Sequence, residues 1–155
     1  MRKVLGTIAA TAALVTSGVV LAPAASAAPA AGTAAFGCSG SQINSYPVKT
    51  PGGVQYATIH LYYDSATGRN CASTVATATG GYGTAAETMV HIAVCSGTTL
   101  SSCMGDTPRD SDLGNYQYYA GPVSVQAAGR CILVSGSRKY NGVIAGVQRG
   151  PVHCG

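Results

Sequence analysis

YATIHLYYDSATGRNCASTVATAT, from Tyr56 to Thr79, is the stretch that decides the fold. In its first half apolar and polar side chains alternate, which places Ile59 and Leu61 on one face and His60 on the other. Such alternation is typical of a half-buried β-strand. The SATG sequence that follows suits a turn, because glycine adopts positive φ without strain. The second half is rich in β-branched residues, which favour strands. The stretch therefore predicts an antiparallel hairpin.

The same pattern of short strands and turns continues along the chain. ETMVHIAVC, GPVSVQA, RCILVSG and YNGVIAGVQ are each typical of a strand, and the Asn-Gly pair in the last suits a tight hairpin turn. None of these segments shows the period of an amphipathic helix. Short strands at this spacing predict an all-β sandwich or barrel. The side chains expected in its core are Ile59, Leu61, Val90, Ile92, Val94, Val123, Val125 and Leu133.

Six cysteines follow the N-terminal apolar segment, and an even number in an exported chain favours disulfides. A zinc site is the alternative, but it would want C-x-x-C pairs or interleaved histidines, which the sequence lacks. Six cysteines allow 15 pairings, and the sequence alone leaves them open. We therefore expect an all-β fold, a small antiparallel β-sandwich or barrel-like domain stapled by disulfides. The pairs that we favour are Cys95–Cys103 across a short loop, Cys131–Cys154 across the last hairpin, and Cys38–Cys71.

The N-terminus has the features of a secretory signal peptide. Arg2 and Lys3 precede an uncharged apolar run, and the run is followed by Ala25-Ser26-Ala27, which suits a signal peptidase. A membrane anchor is the competing interpretation, but hydroxyl residues dilute the run and no basic stop-transfer cluster follows it. The predicted organisation is a signal peptide at 1–27, a flexible lead-in at 28–37, and a single disulfide-stapled β domain at 38–155.

Charge argues against nucleic acid as a partner. Without Arg2 and Lys3, seven of the nine basic residues remain against five acidic ones, and they are thinly spread. Arg138 and Lys139 are adjacent, and a solvated turn explains them better than a phosphate site. No phosphate loop or dinucleotide fingerprint occurs in the sequence.

Catalytic and metal-binding patterns are weak. A Ser-His-Asp arrangement needs a serine in a strained, glycine-rich frame, which is missing. Alternation places the histidines of the strands on an outer surface. The three acidic residues of one loop lack the spacing of an EF-hand, so a solvated loop is favoured over a calcium site. We expect no catalytic residue, no metal and no cofactor; the side chains considered are His60, His91, His153, Asp106, Asp110 and Asp112.

Tyrosines are the main large side chains of a chain with nine tyrosines, one phenylalanine and no tryptophan. If residues 114–120 are extended, Tyr116 and Tyr118 share one face and Tyr119 takes the other. One interpretation is structural packing, because aromatic rings add apolar area to a core of small residues. The other is a tyrosine-lined surface for glycan or a partner protein, to which Tyr62 would contribute.

Two segments resemble the spore-associated protein A family of Streptomyces and related actinobacteria. They are GGVQYATIHLYYDSATGRNC (Gly52 to Cys71) and DLGNYQYYAGPVSVQAAGRCI (Asp112 to Ile132). The resembling region runs from Cys38 to Ile132, whereas the segment from Val94 to Asp110 and the C-terminal tail look like departures. The resemblance implies a small secreted protein found with the spore or its outer surface, and it implies no reaction.

The sequence thus predicts a secreted, non-catalytic spore- or cell-surface protein with an extracellular location. Its candidate partners are the spore surface, a cell-wall glycan or a secreted protein, and we expect neither nucleic-acid binding nor a membrane anchor. The alternative is a small inhibitor or effector that binds an extracellular enzyme or glycan through the 95–112 loop or the tyrosine-lined surface. An unrecognised hydrolase is a third hypothesis.

Overall fold

The computed structural model describes residues 35–155. The predicted signal peptide and residues 28–34 of the predicted lead-in lie outside the described residues. The described part contains eight β-strands and a short 3₁₀ helix at Leu100–Cys103. The strands are β1 (Ser41–Lys49), β2 (Gln55–Asp64), β3 (Arg69–Ala76), β4 (Ala86–Val94), β5 (Arg109–Tyr116), β6 (Tyr119–Gln126), β7 (Ile132–Tyr140) and β8 (Val143–Val152).

All eight strands form one antiparallel sheet in the order β5-β4-β7-β8-β1-β2-β3-β6. The two edge strands, β5 and β6, contact each other, so the sheet curls into a nearly closed barrel. This confirms the predicted all-β fold in its barrel-like form. No helix within residues 35–155 has the length and apolar content needed to cross a membrane.

The barrel interior follows the predicted alternation. Ile59 and Leu61 on β2 are 0% exposed, while Thr58 and His60 between and beside them are partly exposed. All eight side chains expected in the core are buried. Burying an aliphatic side chain of this size contributes about 1.5–3 kcal/mol to the free energy of unfolding. Seven of the eight belong to the barrel core, whereas Leu133 is buried on the opposite face, against Cys95, Cys103 and Cys131. The side-chain period of the sequence therefore predicted the inner face of the barrel correctly for all of them except Leu133.

Strand β1 was not predicted, and its exposure explains why. Its only buried side chain is Val48, and most of the others are exposed. The strand therefore lacks the alternation of buried and exposed side chains that would identify it in the sequence. It pairs with β2, which shows that alternation, from Ser41↔Tyr63 to Lys49↔Gln55.

Three disulfides link the strands, and they are the three pairs that the sequence analysis favoured. Cys38–Cys71 fixes the segment before β1 to β3, Cys95–Cys103 closes the loop after β4, and Cys131–Cys154 joins the two ends of the β7–β8 hairpin. Their sequence separations are 33, 8 and 23 residues. In the chain-entropy model a disulfide contributes about 2–4 kcal/mol, and more when it closes a longer loop.

The end of the predicted lead-in is part of the folded domain. The carbonyl of Phe36 accepts a hydrogen bond from the Ser73 hydroxyl at 3.0 Å. The Phe36 ring lies 5.1 Å from the ring of His60 and 5.6 Å from that of Tyr119. This segment therefore covers the outer face of strands β2, β3 and β6, next to the Cys38–Cys71 disulfide.

Arg138 is the largest fully buried side chain in the described part of the chain. The prediction that it lies with Lys139 in a solvated turn is wrong, because β7 continues to Tyr140 and alternation turns Arg138 inward. All five N–H groups of the guanidinium find oxygen acceptors. These are the carbonyls of Gly80 (2.6 Å), Gly81 (3.1 Å), Thr84 (2.9 Å) and Tyr116 (3.2 Å), and the hydroxyl of Thr88 (2.6 Å).

Two aspartates of β5 bridge the seam between β5 and β6, where the sheet has no backbone ladder. Asp112 accepts a hydrogen bond from the backbone N–H of Gly121 at 2.6 Å, and Asp110 accepts one from that of Ser124 at 2.9 Å. The second oxygen of Asp112 accepts a hydrogen bond from the Tyr116 hydroxyl at 2.6 Å, which raises the pKa of that phenol. Carboxylates thus take the place of the missing strand ladder.

The predicted solvated acidic loop is therefore wrong for two of its three members. Asp110 and Asp112 lie on β5, opposite Ile92 and Val90 of β4, and only Asp106 lies in the loop, where it is exposed. The predicted contact loop at 95–112 likewise ends in a strand from Arg109 onward.

Replacing Asp112 by alanine should lower the free energy of unfolding by about 3 kcal/mol. The change leaves the Gly121 N–H and the Tyr116 hydroxyl without their charged acceptor, and hydrogen bonds to charged groups contribute about 1.5–3 kcal/mol each. The matched control is Asp106→Ala, which should change the free energy by no more than about 0.5 kcal/mol because Asp106 is exposed. Urea unfolding of the oxidised protein measures both. Equal effects of the two substitutions would show that the carboxylate does not hold the seam.

Candidate functional site

A pocket of about 510 Å³ opens at one end of the barrel. It lies where β1 begins, where β2 turns into β3, and where the chain leaves β6 and β8. Its volume falls within the range of small-molecule binding sites, which often occupy the mouths of β-barrels. The residues that line it are Ile43, Tyr63, Asn70, Ala127, Gly129, His153, Cys154 and Gly155.

The β2–β3 hairpin supplies one wall of the pocket. Tyr63 and Asn70 are paired across its two strands, just before and after the turn that contains Gly68. Gly68 has a φ of +68°, which glycine adopts without strain. Asn70 is only 3% exposed, and its amide makes no side-chain hydrogen bond within residues 35–155. The wall of the pocket thus contains a hydrogen-bonding group that is available to a ligand.

His153 supplies a second polar group at the pocket. Its Nε2 lies 3.4 Å from Nδ2 of Asn44 and 3.4 Å from the hydroxyl of Tyr46. Burial lowers the pKa of His153 below its ordinary value of 6.5, so the ring is neutral at pH 7. Burial also raises the pKa of Tyr46, an effect that the nearby charge of Arg149 partly offsets. The two side chains therefore present neutral groups.

The neighbours of His153 differ from those of the histidine in a Ser-His-Asp arrangement. The side chains within hydrogen-bond distance of its ring, in the described part of the chain, are an amide and a phenol. In a Ser-His-Asp arrangement the ring lies between a serine hydroxyl and a carboxylate.

The other two histidines lie elsewhere on the barrel. Nδ1 of His60 is 3.1 Å from the side-chain oxygen of Gln42 on the outer face. His91 lies near the charges of Arg109 and Asp110. Burial lowers the pKa of both rings, and Arg109 lowers that of His91 further while Asp110 raises it. Nowhere in residues 35–155 do three His, Cys, Asp or Glu side chains group closely enough to hold a metal ion.

The four tyrosines predicted as a binding surface lie in different settings. Tyr62 is 5% exposed and packs on the Cys38–Cys71 disulfide. Tyr119 lies against Phe36, as described above. The structure does not place these two side chains in the barrel-mouth pocket.

Tyr116 and Tyr118 are separated by the turn between β5 and β6. Tyr116 is half-buried against the core and bound to Asp112. Tyr118 is 46% exposed, and its ring lies 5.0 Å from that of Tyr82. Residues 114–120 are therefore not one extended segment. The tyrosine at the pocket is instead Tyr63, at the end of β2.

Sequence reasoning did not identify Asn70 and His153 as pocket residues. The sequence did offer one indication. Asn70 directly precedes Cys71 and His153 directly precedes Cys154, and both cysteines belong to predicted disulfides. A polar side chain beside a disulfide is held at a fixed place in the fold. The sequence alone did not indicate that the two places meet at one end of a barrel.

Comparison with known proteins shows a similarity along nearly the whole chain. The chain is 35% identical over 152 residues to Spore-associated protein A of Streptomyces coelicolor, and the alignment covers 96% of this chain and 84% of that protein. The similarity therefore extends beyond the region from Cys38 to Ile132 that carries the motifs. No protein-family model and no solved structure matches the chain.

The free energy of unfolding should fall as the pH drops below about 6.5, the ordinary pKa of histidine. In the folded state burial holds the pKa of His60, His91 and His153 below that value, so the unfolded chain binds more protons in this range. His153→Gln should make the fall between about pH 6.5 and pH 5 smaller, because one of the three groups is removed. Urea unfolding at several pH values measures the change. A free energy of unfolding that increases over this range would contradict the assignment of neutral, buried rings.

Proposed function

The chain belongs to the spore-associated protein A family, and from this membership we propose that it is a secreted, non-catalytic protein of the spore or cell surface. The observation that carries the proposal is the 35% identity over 96% of the chain to a protein named for its association with spores. The location and the non-catalytic role of this chain go beyond that name, so each is argued from other features.

Export is supported by the disulfides and the N-terminal sequence. Three disulfides join all six cysteines of the chain, and such bonds persist in oxidising compartments outside the cytoplasm. Residues 1–27 have the charge, apolar run and small-residue site of a signal peptide. Together these features favour a mature protein that begins at Ala28.

A non-catalytic role is supported by how the fold uses its polar side chains. Asp110 and Asp112 hold the seam of the barrel, and Arg138 is enclosed by carbonyl and hydroxyl groups. His60 lies on the outer face of β2, whereas His153 lies at the barrel mouth. The groups best suited to chemistry thus have structural partners and do not converge on one reactive atom.

Labelling of intact spores tests the proposed location. The predicted mature chain has two lysines, Lys49 and Lys139, and both are exposed. A membrane-impermeant, amine-reactive biotin reagent should label both lysines on unbroken spores of the organism that encodes the chain. Antibody detection should find the protein with spores and in the medium, with an intact mass that begins at Ala28.

The matched control is a strain that carries Lys49→Arg and Lys139→Arg together. Its protein should remain with the spores but carry biotin only on the N-terminal amine. A protein that keeps residues 1–27, or one that is labelled only after the spores are broken, would reject the surface location.

A further inference from the structure

We propose that the pocket at the barrel mouth binds a small, uncharged, largely apolar molecule that offers at least one hydrogen-bonding group to Asn70 or His153. This inference goes beyond the proposed location of the protein. It depends only on the geometry of one end of the barrel, so it can fail or succeed independently of the spore-surface assignment.

The size and lining of the pocket define the class of ligand. About 510 Å³ accommodates a molecule of one or a few rings, because pockets for drug-sized ligands span about 300–1,000 Å³. Much of the lining is apolar or backbone, from Ile43, Ala127, Cys154 and the two glycines at 129 and 155. Such a surface favours carbon-rich groups, since burying apolar area contributes roughly 25 cal/mol per Å².

The polar groups of the pocket set its hydrogen-bonding requirement. The amide of Asn70 has a donor and an acceptor, lines the pocket and makes no side-chain hydrogen bond in the described part of the chain. A ligand that displaces water from this amide must replace the lost hydrogen bond, so it needs a hydrogen-bonding group of its own. The His153 ring and the Tyr63 hydroxyl can supply a second bond.

The charges around the pocket favour an uncharged ligand. None of the lining side chains is charged, and burial lowers the pKa of His153, which keeps the ring neutral. In the protein of residues 28–155 the charged group of the lining is the main-chain carboxylate of Gly155, which is exposed and so would add little to the binding of a cation. The nearest charged neighbours have other partners. Asp64 accepts hydrogen bonds from Ala66 and Ser39, Arg69 donates to the Ser124 hydroxyl, and Arg130 donates to the Cys95 carbonyl. Arg149, whose charge lowers the pKa of Tyr46, donates to the Gln148 carbonyl. An ionic ligand would lose its hydration without gaining a charged side-chain partner.

Disulfides hold the pocket in place. Asn70 directly precedes Cys71, which is bonded to Cys38, and His153 directly precedes Cys154, which is bonded to Cys131. Each of the two polar side chains therefore lies next to a covalent link, Asn70 on β3 and His153 directly after β8. A site that is already ordered loses little conformational freedom when a ligand binds, which favours affinity.

The test uses the oxidised chain of residues 28–155 and N-phenyl-1-naphthylamine, a neutral probe that fluoresces in apolar sites. We expect saturable binding of the probe. Its displacement by three matched naphthalenes then reports on charge: neutral 2-naphthol, anionic 2-naphthoate and cationic 2-naphthylmethylammonium. 2-Naphthol should displace the probe at a concentration at least about tenfold lower than either ion.

Two variants locate the binding. Ile43→Trp fills the mouth of the pocket and should abolish probe binding, whereas Val143→Trp, at the exposed start of β8 at the other end of the barrel, should leave it unchanged. Asn70→Leu keeps the side-chain size but removes the amide. This substitution should weaken the binding of 2-naphthol by about three- to tenfold, the range expected for one hydrogen bond. It should leave the affinity for naphthalene unchanged.

The proposal is overturned by any of three results. These are the absence of saturable probe binding, binding that survives Ile43→Trp in a protein that melts like the parent, and preferred displacement by either naphthoate or naphthylmethylammonium. An Asn70→Leu variant that weakens naphthalene and 2-naphthol equally would likewise show that the amide is not the hydrogen-bonding group. Melting curves of all three variants separate loss of binding from loss of fold.

Discussion

One buried cation holds the closed end of this barrel together. Arg138 is 0% exposed, and its guanidinium is surrounded by four carbonyls and one hydroxyl within the described residues. Burial lowers the pKa of Arg138, yet an arginine side chain stays protonated in proteins. Each N–H has an acceptor, which a buried polar group requires. The loop at 77–85, the start of β4 and the end of β5 each supply at least one acceptor to this side chain, which therefore links all three.

The two ends of the barrel differ because of this arrangement. At the Arg138 end the loop at 77–85 covers the interior, and the nearby end of β5 is set beside β6 so that Asp112 reaches the Gly121 N–H. At the other end no charged side chain of residues 35–155 is buried in the interior. The strands there are fixed by Cys38–Cys71 and Cys131–Cys154, and the space between them is the pocket. A barrel closed and cross-linked in this way can present a stable cavity.

The sequence predicted those features that depend on local pattern. Ile59 and Leu61 could be placed inside because strand side chains alternate with a period of two. Arg138 could not, because its acceptors come from a loop more than 50 residues away. Asp112 was assigned to a loop for a related reason: its role appears only when β5 meets β6. The pocket residues Asn70 and His153 come together only once the barrel closes, so no spacing in the chain could reveal them.

The central claim is that the Arg138 hydrogen bonds stabilise the fold, and urea unfolding of Arg138→Met beside Lys139→Met tests it most directly. Methionine keeps apolar bulk but removes the donors to five oxygen acceptors, of which those of Gly80, Gly81 and Thr88 belong to buried residues. The account predicts a loss of about 3–5 kcal/mol for Arg138→Met, because each buried polar group left without its hydrogen bond costs about 1–3 kcal/mol. The exposed neighbour Lys139 should show a change within about 0.5 kcal/mol. An Arg138→Met protein as stable as the parent, or more stable, would contradict the account.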